Sequence, residues 1–223
     1  MSTSVSPALR FIVVLHMVGA IGAMAQLAAA QEPVPQPTTS ATHSEHRSAT
    51  SAGKFLAGAG VALAAHESGH LLFDGLFDVQ PGLKKVSFHG LPFFAITHRQ
   101  GLSPRREFVI DSAGFWVQEA TTEMILARRP GLRGEHAPFV KGVFAFDLLA
   151  SVGYAAAAFA RTGPGERDTR GMADSLRWKE PWIGVLILVP AVLDAFRYYH
   201  PDARWAAWGS RAAKVGSVAL VAR

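Results

Sequence analysis

Two histidines four residues apart, in His66-Glu67-Ser68-Gly69-His70, are the residues best suited to chemistry. On an α-helix this spacing places both imidazoles on one face, one turn apart, which is a spacing that one tetrahedral metal ion accepts. Glu67 follows the first histidine and is placed to act as general base toward a metal-bound water. The chain has no cysteine, so any metal ligands must be His, Asp or Glu. The motif therefore predicts metal-assisted hydrolysis, with zinc as the metal.

The motif lies in an apolar segment, 55–77, and this context bears on its interpretation. Three ionisable groups within five residues of an apolar helix are costly in a bilayer, so they indicate a functional interior. The structural alternative is that both histidines are buried and hydrogen-bonded to neighbouring helices, with Glu67 paired to a basic group. The cost of that burial favours the metal site.

A tetrahedral site needs a further ligand from the protein, and the candidates are carboxylates in the later segments: Glu119, Glu123, Asp147, Asp168 and Asp194. Glu119 and Glu123 share a helix face and could complete a His-His-Glu site of the soluble type. Asp147 lies within an apolar run, where an unpaired carboxylate is unfavourable. Asp168 lies between two arginines, where a loop ion pair is the ordinary interpretation.

The composition favours a membrane protein. Of the 223 residues, 49% are hydrophobic and only 17% are charged, whereas soluble domains carry about 25% charged residues. The net charge is +5, but the basic residues are scattered between apolar segments and form no stripe, so we expect no nucleic-acid partner. Basic loops beside apolar helices also follow from the positive-inside rule.

Three regions differ in composition along the chain. Residues 1–30 have a basic flank at Arg10, an apolar run and a small-residue end, which predicts a secretion signal peptide. Residues 31–53 are rich in Pro, Ser, Thr and Ala, which predicts a disordered linker outside the cytoplasm. Residues 55–223 form the predicted helical membrane domain.

The predicted fold class is an all-α membrane protein, with four or five helices in a bundle and a short β-like insertion between helices one and two. The predicted helices are 55–77, 108–127, 138–160, 181–199 and a weaker amphipathic helix at 204–222. Arg211 and Lys214 suggest that the last helix lies on the membrane surface. The loops at 78–105 and 161–180 carry more basic residues than the loop at 128–137, which predicts that those two loops face the cytoplasm.

Three features between about residues 55 and 175 resemble the site-2 protease family of intramembrane zinc metallopeptidases. His66-Glu67-Ser68-Gly69-His70 matches the metal-binding helix of that family, and the β-like stretch at 84–97 follows it. Ser112-Ala113-Gly114-Phe115-Trp116-Val117-Gln118 is similar to the small-residue motif of the family, with Gln118 where the family usually has Asn. The family takes its third ligand from an Asp-Gly pair. Here Asp168 precedes Gly171 without abutting it, and Asp147 is the alternative, so the resemblance favours Asp168 slightly.

The resemblance implies a membrane-embedded zinc endopeptidase. Its substrates would be membrane proteins or membrane-proximal peptides, cleaved by water that Glu67 activates. The signal peptide and the loop charges predict a bacterial inner membrane, with the N-terminal linker on the periplasmic side. Two other functions stay open. One is a catalytically inactive membrane metal-binding or scaffold protein. The other is a tethered soluble metallopeptidase with Glu119 as the third ligand.

Overall fold

The computed structural model describes residues 42–88, 91–98 and 101–222. The predicted signal peptide and the first part of the predicted linker, 31–41, lie outside the described residues. The described chain is mostly helical. Its elements are α1 (Thr42–Phe77), β1 (Gly82–Phe88), β2 (Leu91–Thr97), α2 (Pro104–Arg128), α3 (Pro138–Ala160), α4 (Asp168–Leu176), α5 (Glu180–Tyr199) and α6 (Arg204–Ala219), with short 3₁₀ turns at Leu132–Gly134 and Leu220–Ala222.

The prediction of a mainly helical chain with a β insertion between its first two long helices is confirmed. β1 and β2 form an antiparallel hairpin in which Gly82 pairs with Thr97 and Phe88 pairs with Leu91. The described residues contain six helices rather than four or five, because the short α4 lies in the segment that we predicted to be a loop. α1 begins at Thr42, inside the predicted linker, since extending an existing helix costs much less than nucleating one.

Two apolar clusters hold the helices together. In one, Leu126 of α2 packs with Val140 and Phe144 of α3. In the other, Phe108 and Phe115 of α2 pack with residues of α4 and α5. α1 packs against both α2 and α3, and α4 packs mainly against α2. The C-terminal half of α1 and the start of α4 are thereby held on the same side of α2.

The amphipathic last helix, which we predicted to lie on the membrane surface, packs against the bundle. α6 packs on α5, and Lys214 is only 8% exposed. The Lys214 ammonium lies 2.6 Å from Asp194 of α5 and 3.2 Å from Glu123 of α2. The polar face of α6 therefore turns inward, because carboxylates from two other helices meet it there.

Two of the described helices, α3 and α5, are long and apolar enough to cross a membrane, judged by length and composition. Only 33% of the most apolar stretch of α3 and 39% of that of α5 are buried within the chain. Large apolar side chains stay exposed on both helices, among them Leu149, Val152, Val189 and Val192. Much of their apolar surface thus faces outward.

Candidate metal centre

Three side chains that are far apart in sequence meet at one point in the bundle. His66 and His70, on successive turns of α1, bring their Nε2 atoms to 3.3 Å from each other. Oδ2 of Asp168, the first residue of α4, lies 3.4 Å from Nε2 of His66 and 3.6 Å from Nε2 of His70. Within the described part of the chain, these residues form the one group of three or more His, Asp or Glu side chains that could hold a metal ion.

The size of this triangle can be compared with that of a tetrahedral metal site. Zinc binds imidazole nitrogen at about 2.0–2.1 Å, so two ligand atoms on one tetrahedral edge lie about 3.3–3.4 Å apart. The three observed edges are 3.3, 3.4 and 3.6 Å, close to that value. The ligand atoms are therefore spaced to share one small cation, and three protein ligands are the number that catalytic zinc sites have.

The ring of His70 is oriented by a backbone group of α2. Its Nδ1 lies 2.7 Å from the carbonyl oxygen of Ile110. A carbonyl can only accept, so Nδ1 carries the proton and donates it, which leaves Nε2 of the neutral ring free to bind a metal. His66 has no such support, because its buried Nδ1 has no hydrogen-bond partner among the described residues.

Small residues of α1 and α2 let the two helices approach closely enough to enclose the histidines. A Cβ atom at Gly114 would lie 2.4 Å from Cε1 of His66, and one at Gly69 would lie 2.7 Å from the carbonyl oxygen of Ala113. Neither distance is compatible with a methyl group. Gly114 therefore leaves room for the His66 ring, and Gly69 leaves room for the backbone of α2.

The start of α4 is tied to the start of α5, and this connection positions Asp168. Arg167 donates two hydrogen bonds of 2.6 Å to the Glu180 carboxylate. Thr169, which is fully buried, donates to the same carboxylate at 2.8 Å. Since Arg167 and Thr169 flank Asp168, this bidentate clamp fixes the backbone that presents the ligand.

The charge state of Asp168 suits metal binding. Burial raises the pKa of a carboxyl group, but the charge of a protonated His70 and the hydrogen bonds that His66 and His70 donate through Nε2 outweigh it. The pKa of Asp168 therefore lies well below its ordinary value. A metal ion would replace those Nε2 protons, because it binds the neutral imidazole. The side chain of Asp168 is 17% exposed, whereas those of His66 and His70 are 3% and 7% exposed, so Asp168 is the most exposed of the three.

Glu67 lies beside the triangle but is not one of its corners. Its side chain is partly buried and interacts electrostatically with both histidines and Asp168. A carboxylate in this position can accept a proton from a water held at the fourth position.

The other predicted ligand candidates lie elsewhere. Asp147 and Glu119 line a cavity between α2, α3 and α5, together with Asp194. Glu119 accepts a hydrogen bond from Ser217 of α6 at 3.1 Å, and Glu123 binds basic residues of α5 and α6. None of these carboxylates belongs to the histidine group.

Tyr154 of α3 is a site residue that the sequence did not reveal. Its ring stacks on that of His66, with 5.9 Å between ring centroids and 22° between planes. Its hydroxyl group interacts electrostatically with Asp168. A tyrosine inside an apolar helix gives no sign of such a role in the sequence. The sequence around Arg167 and Glu180 likewise does not indicate that these residues form a clamp.

Comparison with known proteins gives no relative for this chain: no protein-family model, curated protein or solved structure matches it. The likeness to the site-2 protease family thus rests on the residue pattern alone. The described residues contain a His-His-Asp group, with both histidines buried, whose ligand atoms have the spacing of a tetrahedral metal site.

Proposed function

We propose that the chain is a membrane-embedded zinc metallopeptidase that hydrolyses peptide bonds in or near membrane segments. The observation that carries the proposal is that ligand atoms of His66, His70 and Asp168 lie at three corners of a small tetrahedron, with Glu67 beside them. Two imidazoles and one carboxylate, three protein ligands in all, are the donor set of a catalytic rather than a structural zinc site.

Each protein group has a defined task in this proposal. A zinc ion bound here supplies Lewis acidity: it lowers the pKa of water and polarises a carbonyl group. Glu67 takes the proton from the attacking water and passes it to the leaving amine. The Ile110 carbonyl group orients His70 by accepting a hydrogen bond from its Nδ1, and the Tyr154 ring stacks on His66.

The outward faces of α3 and α5 support a membrane location. A soluble protein would cover such apolar helices, yet less than half of each apolar stretch is buried. α5 has 20 residues, which at 1.5 Å each gives about 30 Å, the thickness of a hydrocarbon layer. Exposed aromatic side chains stand at both of its ends, Trp182 at one and Tyr199 and Trp205 at the other, as aromatic belts do at membrane interfaces.

Loop charge supports an orientation within an inner membrane. The connection from α3 to α5, which contains Asp168, carries exposed basic residues, Arg161, Arg170, Arg177 and Lys179. By the positive-inside rule it faces the cytoplasm, so the site opens near the cytoplasmic surface and the start of α1 is periplasmic. The substrates would then be membrane proteins or membrane-proximal peptides that reach this surface.

The proposal is tested with the full chain, purified in detergent, loaded with zinc and given a mixture of internally quenched peptides. We expect cleavage by the wild type and at least a hundredfold loss in Glu67→Gln, because the amide cannot take a proton. Zinc content should stay the same, since Glu67 is not a ligand. The matched control is Glu135→Gln, which changes a carboxylate that pairs with Arg129 at 2.9 Å and should leave cleavage unchanged.

Two outcomes would favour the other functions. If the zinc-loaded wild type cleaves no peptide, the inactive metal-binding or scaffold protein replaces the peptidase. If Glu119→Ala removes zinc, the tethered soluble metallopeptidase gains support. The position of Glu119 beside Ser217, away from the histidines, argues against that second outcome.

A further inference from the structure

An open groove lies where α4 ends and α5 begins, at the end of the bundle that we place at the cytoplasmic surface. Its volume is about 600 Å³. The two basic residues of its lining precede α5, and three of the four apolar ones lie in the first two turns of α5. The lining consists of Arg177, Trp178, Lys179, Trp182, Val185 and Leu186. The groove is therefore amphipathic, basic at the start of α5 and apolar along the helix.

The positive charge of the groove is not neutralised by nearby carboxylates. Glu180 and Asp174 are the acidic residues nearest to it along the chain. Glu180 is bound to Arg167 at 2.6 Å, and Asp174 lies 3.8 Å from Arg170. Among the described residues, neither basic side chain of the groove forms an ion pair. The two positive charges thus stand ready for an anionic ligand.

Arg177 has a backbone conformation in which glycine is the common residue. Its φ of 55° and ψ of 37° are left-handed. The N–H groups of Arg177 and Trp178 donate to the carbonyl oxygens of Asp174 and Ala173, at 3.2 and 2.9 Å, and so end α4. A Cβ atom is strained at this position of a helix cap. The cap itself therefore does not need the Arg177 side chain, and a glycine variant can remove the guanidinium group while keeping the turn.

The apolar part of the groove is open along the outer face of α5. Trp182 is 62% exposed, and Val185 and Val189, which follow on the same face of the helix, are exposed as well. A site for a soluble small molecule encloses most of its ligand. This groove instead continues into the apolar surface that we place against the hydrocarbon layer, so an acyl chain can lie along it.

The basic residues stand at the depth of lipid headgroups. The 20 residues of α5 span about 30 Å, which is the thickness of the hydrocarbon layer. Arg177 and Lys179, just before the helix, are then at the membrane surface. Arginine and lysine bind phosphate oxygens, and the cytoplasmic leaflet contains anionic lipids. The groove therefore suits a molecule with a phosphate at one end and an acyl chain at the other.

We propose that this groove binds one anionic phospholipid, with its phosphate against Arg177 and Lys179 and an acyl chain along the apolar side chains of α5. The lipid would hold the junction of α4 and α5 at the cytoplasmic surface. This proposal rests on the membrane location given under the proposed function, and it is independent of zinc binding and peptidase activity.

The test uses the full chain in phosphatidylcholine vesicles that contain phosphatidylglycerol with brominated acyl chains, which quench tryptophan fluorescence on contact. Brominated phosphatidylcholine measures contact without charge. We expect a saturable part of the quenching to show a preference for phosphatidylglycerol of at least about fivefold, the factor expected for one basic residue near an anionic surface. Trp182→Phe should lower this part, whereas Trp208→Phe, which changes an exposed side chain of α6, should not.

Arg177→Gly tests the basic end of the groove. It should lower the preference for phosphatidylglycerol about fivefold, while the Tm stays the same or rises, because glycine suits the left-handed conformation. Arg161→Gly is the matched control. Arg161 ends α3 with a similar φ of 51°, is exposed and lies at the same membrane surface, but it does not line the groove. Its replacement should leave the preference unchanged.

Three results would overturn the lipid site. The two lipids could quench an inserted chain equally, which would refute this inference alone. Arg161→Gly could lower the preference as much as Arg177→Gly, which would show a general attraction to the surface. Dissolved glycerol phosphate could displace the lipid, which would show that the acyl chain does not contribute. A chain that fails to insert into the vesicles would overturn both the membrane location and the lipid site.

Discussion

Replacing Gly114 by alanine places a methyl group in the space of the His66 ring. The added Cβ would lie 2.4 Å from Cε1 and 2.5 Å from Nε2 of His66. Carbon atoms in ordinary contact lie about 3.5–4.0 Å apart, so the ring must move by about 1 Å. Ligand distances in metal sites tolerate only about 0.2 Å. His66 should therefore be lost as a ligand.

The expected effect is a selective loss of metal affinity. Loss of an outer hydrogen-bond partner costs about 10–100-fold in metal affinity, so losing a ligand should cost at least about 100-fold. The free energy of unfolding of the metal-free protein should change little. Alanine favours a helix over glycine by up to about 1 kcal/mol, which offsets part of the roughly 1–3 kcal/mol that overpacking costs.

Zinc affinity is measured by competition with chelators of graded strength, and stability by thermal unfolding of the metal-free chain. Gly60→Ala is the matched control, since Gly60 is exposed on α1 and nothing lies within 4 Å of its added Cβ. It should bind zinc like the wild type. Wild-type zinc affinity in Gly114→Ala would refute the argument that His66 binds metal in the position described.

Three other perturbations test separate parts of the structure. Glu180→Gln should lower zinc affinity about 10–100-fold by loosening the clamp that presents Asp168; unchanged affinity in a chelator titration would mean that the clamp does not position this ligand. Glu123→Gln removes the shared partner of Arg197, Arg211 and Lys214, and it should lower the Tm on the order of 10 °C. An unaltered melting curve would contradict this. The full chain should stay in the membrane pellet after extraction with alkaline carbonate, and release into the supernatant would exclude an integral protein.

The local part of the site could be predicted because it depends on helix periodicity alone. Residues four apart on a helix share a face whatever the rest of the chain does, so the pairing of His66 with His70 needed no tertiary information. Asp168 lies 102 residues beyond His66, and its position depends on α4, which was predicted to be a loop. This segment is helical because Met172 and Ala173 are buried in the apolar cluster and its start is tied to Glu180. The nine residues of α4 are mostly polar, and their sequence does not reveal which distant residues they contact.

The interior of the bundle shows the same limit. Lys214 and Arg211 on an amphipathic helix predicted a membrane-surface position, because the pattern reports two faces but not what each face contacts. The structure turns the basic face toward Glu123, about ninety residues earlier in the chain. Asp147 was recognised as an unfavourable carboxylate, but its neighbours in the cavity come from three helices. Contacts between polar groups far apart in sequence therefore determine the orientation of α6, which the periodicity of its sequence could not predict.

The metal content of the purified chain tests the central claim most directly. Wild-type protein, purified without chelators, should contain about one zinc ion per chain, and Asp147→Asn should contain the same amount. His70→Ala and Asp168→Ala should each contain almost none, because two ligands from the protein hold zinc poorly. A wild type without zinc, or an Asp168→Ala variant that keeps it, would contradict the metal centre described above.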